Sequence, residues 1–189
     1  MLGTIFKRKG SEERLVERVK AGDMAAAGML YQEYVRYLSA ICSRYLSNDE
    51  DVRDVLQETF LRIFSAISSF HYRGEGSLRG WMSRIALNET LAFMRKNSRL
   101  NLCELSDNSL YITDDVATEE IPAEVVYQMI RELPDGYRAV FNLFAIEGKS
   151  HKEIAALLGI KADTSASQFY KAKAALAKRL KRYKREKSI

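Results

Sequence analysis

Residues 51–96 read DVRDVLQETFLRIFSAISSFHYRGEGSLRGWMSRIALNETLAFMRK. The pattern predicts a helix, a glycine-punctuated polar loop and a second helix. Val52, Val55, Leu56, Leu61 and Phe64 recur near the helical period and predict a buried stripe. Asp51, Arg53, Asp54, Gln57, Glu58 and Arg62 occupy the other side. The loop SSFHYRGEGS presents aromatics and arginine where no periodicity would bury them, so Phe70 is expected outside the core. Leu78, Trp81, Met82, Ile85, Leu91 and Met94 then resume an apolar face, leaving Arg79, Arg84, Asn88, Arg95 and Lys96 to point elsewhere. Aromatic and basic groups at such a junction can hold unpaired bases, because every base has a stackable face and every nucleotide a phosphate. Two helices of an ordinary bundle would show much of the same pattern, so the flanking sequence has to decide.

Toward the N-terminus, Ser11 can cap a helix to Ala21 with Leu15, Val16 and Val19 inward. Asp23 is a good N-cap for the next helix, whose Met29, Leu30, Tyr34, Leu38, Ile41, Tyr45 and Leu46 are expected inside. Asn48-Asp49 breaks that helix before the central stretch. Residues 1–96 therefore predict a helical bundle of about four helices. Residues 97–122 carry no convincing period and end at Ile121-Pro122. Their length favours an interdomain linker. From Asn101 to Val125 the only charges are acidic.

Residues 123–189 predict a second helical domain. Val125, Val126, Met129, Ile130 and Leu133 precede Pro134; Val140, Phe141, Leu143, Phe144 and Ile146 precede Gly148. Then comes SHKEIAALLGIKADTSASQFYKAKAALAKRL, residues 150–180. Ser150 and Glu153 form a capping box, Ile154 to Leu158 a short buried helix, Gly159 a tight turn, and Ile160 an apolar plug. A last helix opens at Ala162-Asp163 with Ser165, Phe169, Ala172 and Leu176 inward. Short helix, glycine turn, plug and capped second helix make a helix-turn-helix. Thr164, Ser167, Tyr170 and Lys171 share the face opposite the core, suited to base edges and phosphates. Lys149, Lys152 and Lys161 fall where the backbone would be met. The fold class expected is all-α: two helical domains joined by an extended acidic linker, the C-terminal one a helix-turn-helix.

Composition narrows the function. The chain has 189 residues and a formal charge of +5, but the charge is segregated. Lysine and arginine crowd the segment from Lys171 onward against Glu186 alone, which points to a polyanion partner. The last eight residues are expected to be a frayed, solvated tail. Cys42 and Cys103 belong to no CxxC pair, and His71 and His151 lack neighbouring ligands, so no metal and no cofactor are expected. No Gly-rich phosphate loop or nucleophile-base pair supports an enzyme or a small-molecule substrate. No apolar run approaches a membrane span, and MLGTIFKRKG lacks a signal-peptide core, so the expected location is cytoplasmic.

The residues Asp54-Val-Leu-Gln57-Glu58-Thr-Phe60-Leu-Arg62 and Trp81-Met-Ser-Arg84-Ile-Ala-Leu-Asn88 resemble region 2 of bacterial extracytoplasmic-function (group IV) sigma factors. Leu133-Pro134, Tyr137-Arg138, Phe141, Glu147-Gly148 and Ser150-x-Lys-Glu153-Ile-Ala-x-Leu-Leu-Gly159-Ile160 resemble their region 4. The two sets occur in the family's order, and the linker stands where housekeeping sigma factors have a middle domain. The resemblance implies a transcription initiation factor without enzymatic activity. It would bind the clamp helices of the largest subunit of core RNA polymerase through Asp54, Gln57, Glu58 and, in part, Phe60. It would bind and help melt the −10 promoter element through Arg62, Phe70, Arg84, Asn88 and Trp81, the last weighed first as packing. Region 4 would read the −35 element through Lys149, Lys152, Lys161, Thr164, Ser167, Tyr170 and Lys171. An anti-sigma factor, free or membrane-bound, is the further partner implied. Ala92 and Ala166 depart from residues common in the family. Lys171 replaces a commoner Arg and gives up bidentate guanine recognition.

The linker is long enough for this layout only when stretched. The two promoter elements lie roughly 60 Å apart at about 3.4 Å per base pair. A coil of this length spans about 27 Å, an extended chain about 80 Å. Two other classes compete. A stand-alone helix-turn-helix regulator with an N-terminal dimerisation or sensing bundle would shift promoter DNA without polymerase. An anti-sigma-like adaptor would use its helices for protein contacts alone.

Overall fold

The computed structural model describes residues 10–97 and 121–187, all helix and turn with no strand among them. Most of the expected acidic linker, 98–120, and with it Cys103, lies outside the described residues. The chain forms two compact units. Among the described residues, one comprises 10–43 and 48–90, the other 44–47, 91–97 and 121–187.

In the first unit α1 spans Ser11–Lys20, α2 Met24–Ser43 and α3 Asp49–Ala66, followed by a single 3₁₀ turn, Ile67–Ser69. The helix α4, Ser77–Lys96, begins there. Its starts are chemically determined. Asp23 accepts the backbone N–H groups of Ala25 and Ala26 at 2.9 and 3.1 Å, and Asn48 accepts that of Glu50 at 2.8 Å; each supplies an acceptor the first helical turn lacks. The Ala26 N–H and the Arg18 guanidinium hold the Asp23 carboxyl below its ordinary range.

The buried stripe of α3 is Val52, Val55, Leu56, Thr59, Phe60 and Ile63. This corrects two expectations: Leu61 points outward at 57% exposure, and Phe64 is half-buried. Thr59 belongs inside because its hydroxyl donates to Val55 O at 2.7 Å, leaving only its methyl to be packed. Met29 of α2, expected inside, is likewise 53% exposed. Cys42 is buried, and that burial raises its thiol pKa, so it is not poised as a nucleophile.

In the second unit α5 spans Ala123–Arg131, α6 Asp135–Phe141, α7 His151–Leu158 and α8 Ala162–Lys187. A π turn, Asn142–Ile146, prolongs α6. Ile130, Leu133, Tyr137, Ala172 and Leu176 form its core. Close approach is enforced at Gly136, where a Cβ would meet the Gln168 side chain at 3.2 Å. Arg138 is buried at 2% exposure. It donates to the carbonyls of Tyr45, Arg131 and Leu133 and pairs with Asp135, so every face of its planar fork is used. The tail expected to fray is helical through Lys187.

Candidate polymerase and promoter interfaces

Asp54, Gln57 and Glu58 are all exposed on α3. Their spacing places Leu61 one turn further along the same side, so this face carries an exposed apolar residue among polar ones. Leu61 was missed because it was counted inward for being apolar. The spacing 54, 57, 58, 61 was the available signal. Phe60, by contrast, is 4% exposed with its ring 4.6 Å from Tyr31, so it supports the helix from inside.

The loop between α3 and α4 departs from expectation. Phe70 is only 6% exposed, its ring 4.8 Å from that of Trp81. An unperiodic position does not keep a large ring in water when a neighbouring aromatic face is within reach, since that contact is itself favourable. Trp81 is half-buried, whereas Arg84 and Asn88 are exposed. Trp81, Arg84 and Asn88 follow each other at helical spacing along one side of α4. Arg62 joins them through Glu89, its Nε 3.3 Å from Glu89 Oε1. Both partners have exposure, so the pair positions more than it stabilises. Arg79, with Tyr37 and Ser83, which the sequence did not single out, braces this region. The Arg79 guanidinium lies 3.9 Å from the centre of the Tyr37 ring, and the Tyr37 hydroxyl is 3.0 Å from Ser83 Oγ.

In the second unit the capping box forms as read. Ser150 Oγ accepts Glu153 N–H at 3.3 Å, and Glu153 Oε2 accepts Ser150 N–H at 2.8 Å. That backbone N–H is the main reason the Glu153 carboxyl lies below its ordinary range. Gly159 ends α7 at φ 69°, and Ile160 N–H returns to Ala155 O at 3.1 Å. The left-handed conformation is the reason for glycine there. Phe144, His151 and Phe169 then fix α7 against α8. The His151 ring stacks on Phe144 at 4.6 Å, Phe169 lies 4.3 Å from Phe144, and His151 Nδ1 is 2.9 Å from Ser165 Oγ.

This frame leaves Ser167 and Tyr170 exposed and Thr164 and Lys171 half-exposed on the outer side of α8. Lys152 on α7 and Lys161 before α8 are exposed, and Lys149 lies 3.9 Å from Glu153. Arg179, on the same helix, does not join them. It donates to Met129 O at 2.6 Å and Glu132 O at 3.1 Å, capping the last carbonyls of α5.

A helix-turn-helix with a basic, hydroxyl-bearing outer helix, joined in one chain to a helical bundle, defines a DNA-binding protein of transcription. Residues 30–100 match the model of sigma-70 region 2, and residues 123–176 that of sigma-70 region 4. The chain is 29% identical over 176 residues to the ECF RNA polymerase sigma-E factor of Haemophilus influenzae, spanning 86% of this chain and 92% of that one. It is 27% identical over 179 residues to the sigma-E factor of Escherichia coli K12, spanning 88% and 92%. The solved structure of CnrH in complex with the cytosolic domain of CnrY aligns over 88% of this chain and 95% of that one, at 26% identity and a TM-score of 0.45. The chain belongs to the extracytoplasmic-function group of RNA polymerase sigma factors. Its function is to direct RNA polymerase to promoters, with core polymerase and promoter DNA as partners. That sets aside the stand-alone regulator and the adaptor. Among the described residues no helix is long and apolar enough to cross a membrane.

Proposed function

We propose that the outer face of α3 is the polymerase-docking surface, with Asp54, Gln57 and Glu58 as its polar contacts and Leu61 as its apolar centre. One observation carries this: the four share an exposed line on a helix whose opposite side is committed to the core. An exposed leucine ringed by polar groups is the composition of a contact patch that sheds water on docking. Phe60 contributes from beneath. The double change Asp54→Ala/Gln57→Ala is expected to leave the melting temperature unchanged and to weaken association with core polymerase roughly 30- to 100-fold, about 2–3 kcal/mol. A folded double mutant that co-purifies with polymerase like the wild type would remove the assignment.

On α4 and the end of α3, Trp81, Arg84, Asn88 and Arg62 form the −10 surface, with Phe70 holding the Trp81 ring from below. In the second unit Thr164, Ser167, Tyr170 and Lys171 face the −35 bases, while Lys149, Lys152 and Lys161 meet the backbone. Ser167→Ala or Lys171→Ala is expected to change preference among −35 sequences by about 1–3 kcal/mol per lost base contact. Holoenzyme titrated on a −35 library reads this out. An unaltered preference with uniformly weaker binding would reassign both residues to phosphate. In this reading 1–96, 97–122 and 123–189 serve as polymerase and −10 module, tether and −35 module. The protein works in the cytoplasm without catalytic chemistry of its own, under an anti-sigma factor.

A further inference from the structure

We propose that the C-terminal extension of α8, from Lys178 to Arg185, is a sequence-independent phosphate-binding surface that grips DNA flanking the −35 element. The proposal rests on α8 being the promoter-reading helix. The similarity to region 4 ends at residue 176, yet α8 runs unbroken to Lys187. That carries a rigid rod roughly 16 Å beyond the matched segment at about 1.5 Å per residue.

The extension continues the reading face rather than starting a new one. At helical spacing Thr164, Ser167 and Lys171 lead, across the buried Ala174, to Lys178, Arg182 and Arg185. The opposite side is taken by Ser165, Gln168, Ala172, Leu176 and Leu180, all buried. The cations are sorted accordingly. Arg179, turned toward the core, is spent on the carbonyls of α5. Lys178 and Arg185 are exposed and have no ion-pair or hydrogen-bond partner among the described residues. Arg182 donates to Glu186 at 2.8 Å with side chains 80% and 61% exposed, a pair of the kind that contributes little and yields readily to phosphate. Exposed cations at this end of the helix attract a phosphate backbone whatever its sequence; Arg182 and Arg185 keep the planar fork that also fits guanine, and the −35 preference measured below separates the two roles. An anionic membrane fits less well. The apolar side of the helix is already inside the protein, and an interfacial helix needs that side for the acyl chains.

The test uses holoenzyme assembled with the full chain carrying Lys178→Gln/Arg185→Gln, titrated on promoter duplex at several salt concentrations. The slope of log affinity against log salt is expected to become shallower by up to about 1.8, the yield of two phosphate contacts, with −35 preference unchanged. The variant Arg14→Gln/Arg36→Gln, which loses the same charge from exposed positions of the first unit, is expected to leave the slope alone. An unchanged slope in the first variant, or an equal change in the second, overturns the proposal. So does an altered −35 preference, which would make the extension a reader of bases. Loss of binding to phosphatidylglycerol vesicles with an unchanged promoter slope would assign the surface to lipid and overturn it too. Wild-type holoenzyme indifferent to the −35 sequence would instead overturn the reading of α8 beneath it, and this proposal with it.

Discussion

Arg138→Ala is expected to lower the stability of the second unit by about 3 kcal/mol or more, the range for removing one member of a buried charged network. For a domain of this size that corresponds to a fall in melting temperature of roughly 12–24 °C. The guanidinium supplies the carbonyls of Tyr45, Arg131 and Leu133 and the carboxylate of Asp135. Truncation leaves acceptors without donors in a place where the side chain was 2% exposed. An unmet buried acceptor costs more than the bond it lost. Arg138→Lys restores charge but not the planar fork, so it is expected to recover less than half of the loss. Thermal denaturation of the full chain followed by circular dichroism measures both. Melting of Arg138→Ala within about 3 °C of wild type, the scale of less than 1 kcal/mol, would show that water replaces the guanidinium without cost.

Phe70→Ala is expected to cost the first unit about 3–4 kcal/mol, the range for deleting a buried phenylalanine ring. The ring is 6% exposed and lies 4.8 Å from Trp81, so its loss removes apolar contact and leaves the indole without a wall. Phe70→Leu keeps most of the volume and is expected to cost less than about 1.5 kcal/mol. The pair separates packing from contact with DNA. If Phe70 acts by holding Trp81, holoenzyme with Phe70→Leu opens the −10 region nearly as wild type does, as read by permanganate reactivity, and Phe70→Ala fails in both stability and opening. A Phe70→Leu protein that melts normally but leaves the −10 bases unreactive would put the ring itself against the DNA.

The local elements were legible because their causes are local. Capping residues declare themselves one turn from what they cap, as Asp23, Asn48 and the Ser150/Glu153 box do. A glycine that must take a left-handed φ, as Gly159 does, is visible as the residue between two periodic runs. Periodicity and turn chemistry were therefore enough for an all-α chain and for a helix-turn-helix in its second half. Motif order pointed to a sigma factor, since two unrelated motif sets in one chain constrain each other. Tertiary structure decided which way a residue faces when its neighbours in space come from elsewhere in the chain. Leu61 was counted inside for being apolar, although helical spacing already set it opposite the stripe beside Asp54, Gln57 and Glu58, where the packing of α3 leaves it in solvent. Phe70 belongs to no period, so nothing local foretold that Trp81 would cover it. Arg179 stands in a basic run, yet the α5 carbonyls beside it convert it from a free charge into a cap. In each case the sequence supplied the chemical capacity of the side chain, and the distance to a partner far along the chain determined its use, because burial and hydrogen bonding depend on what is near in space.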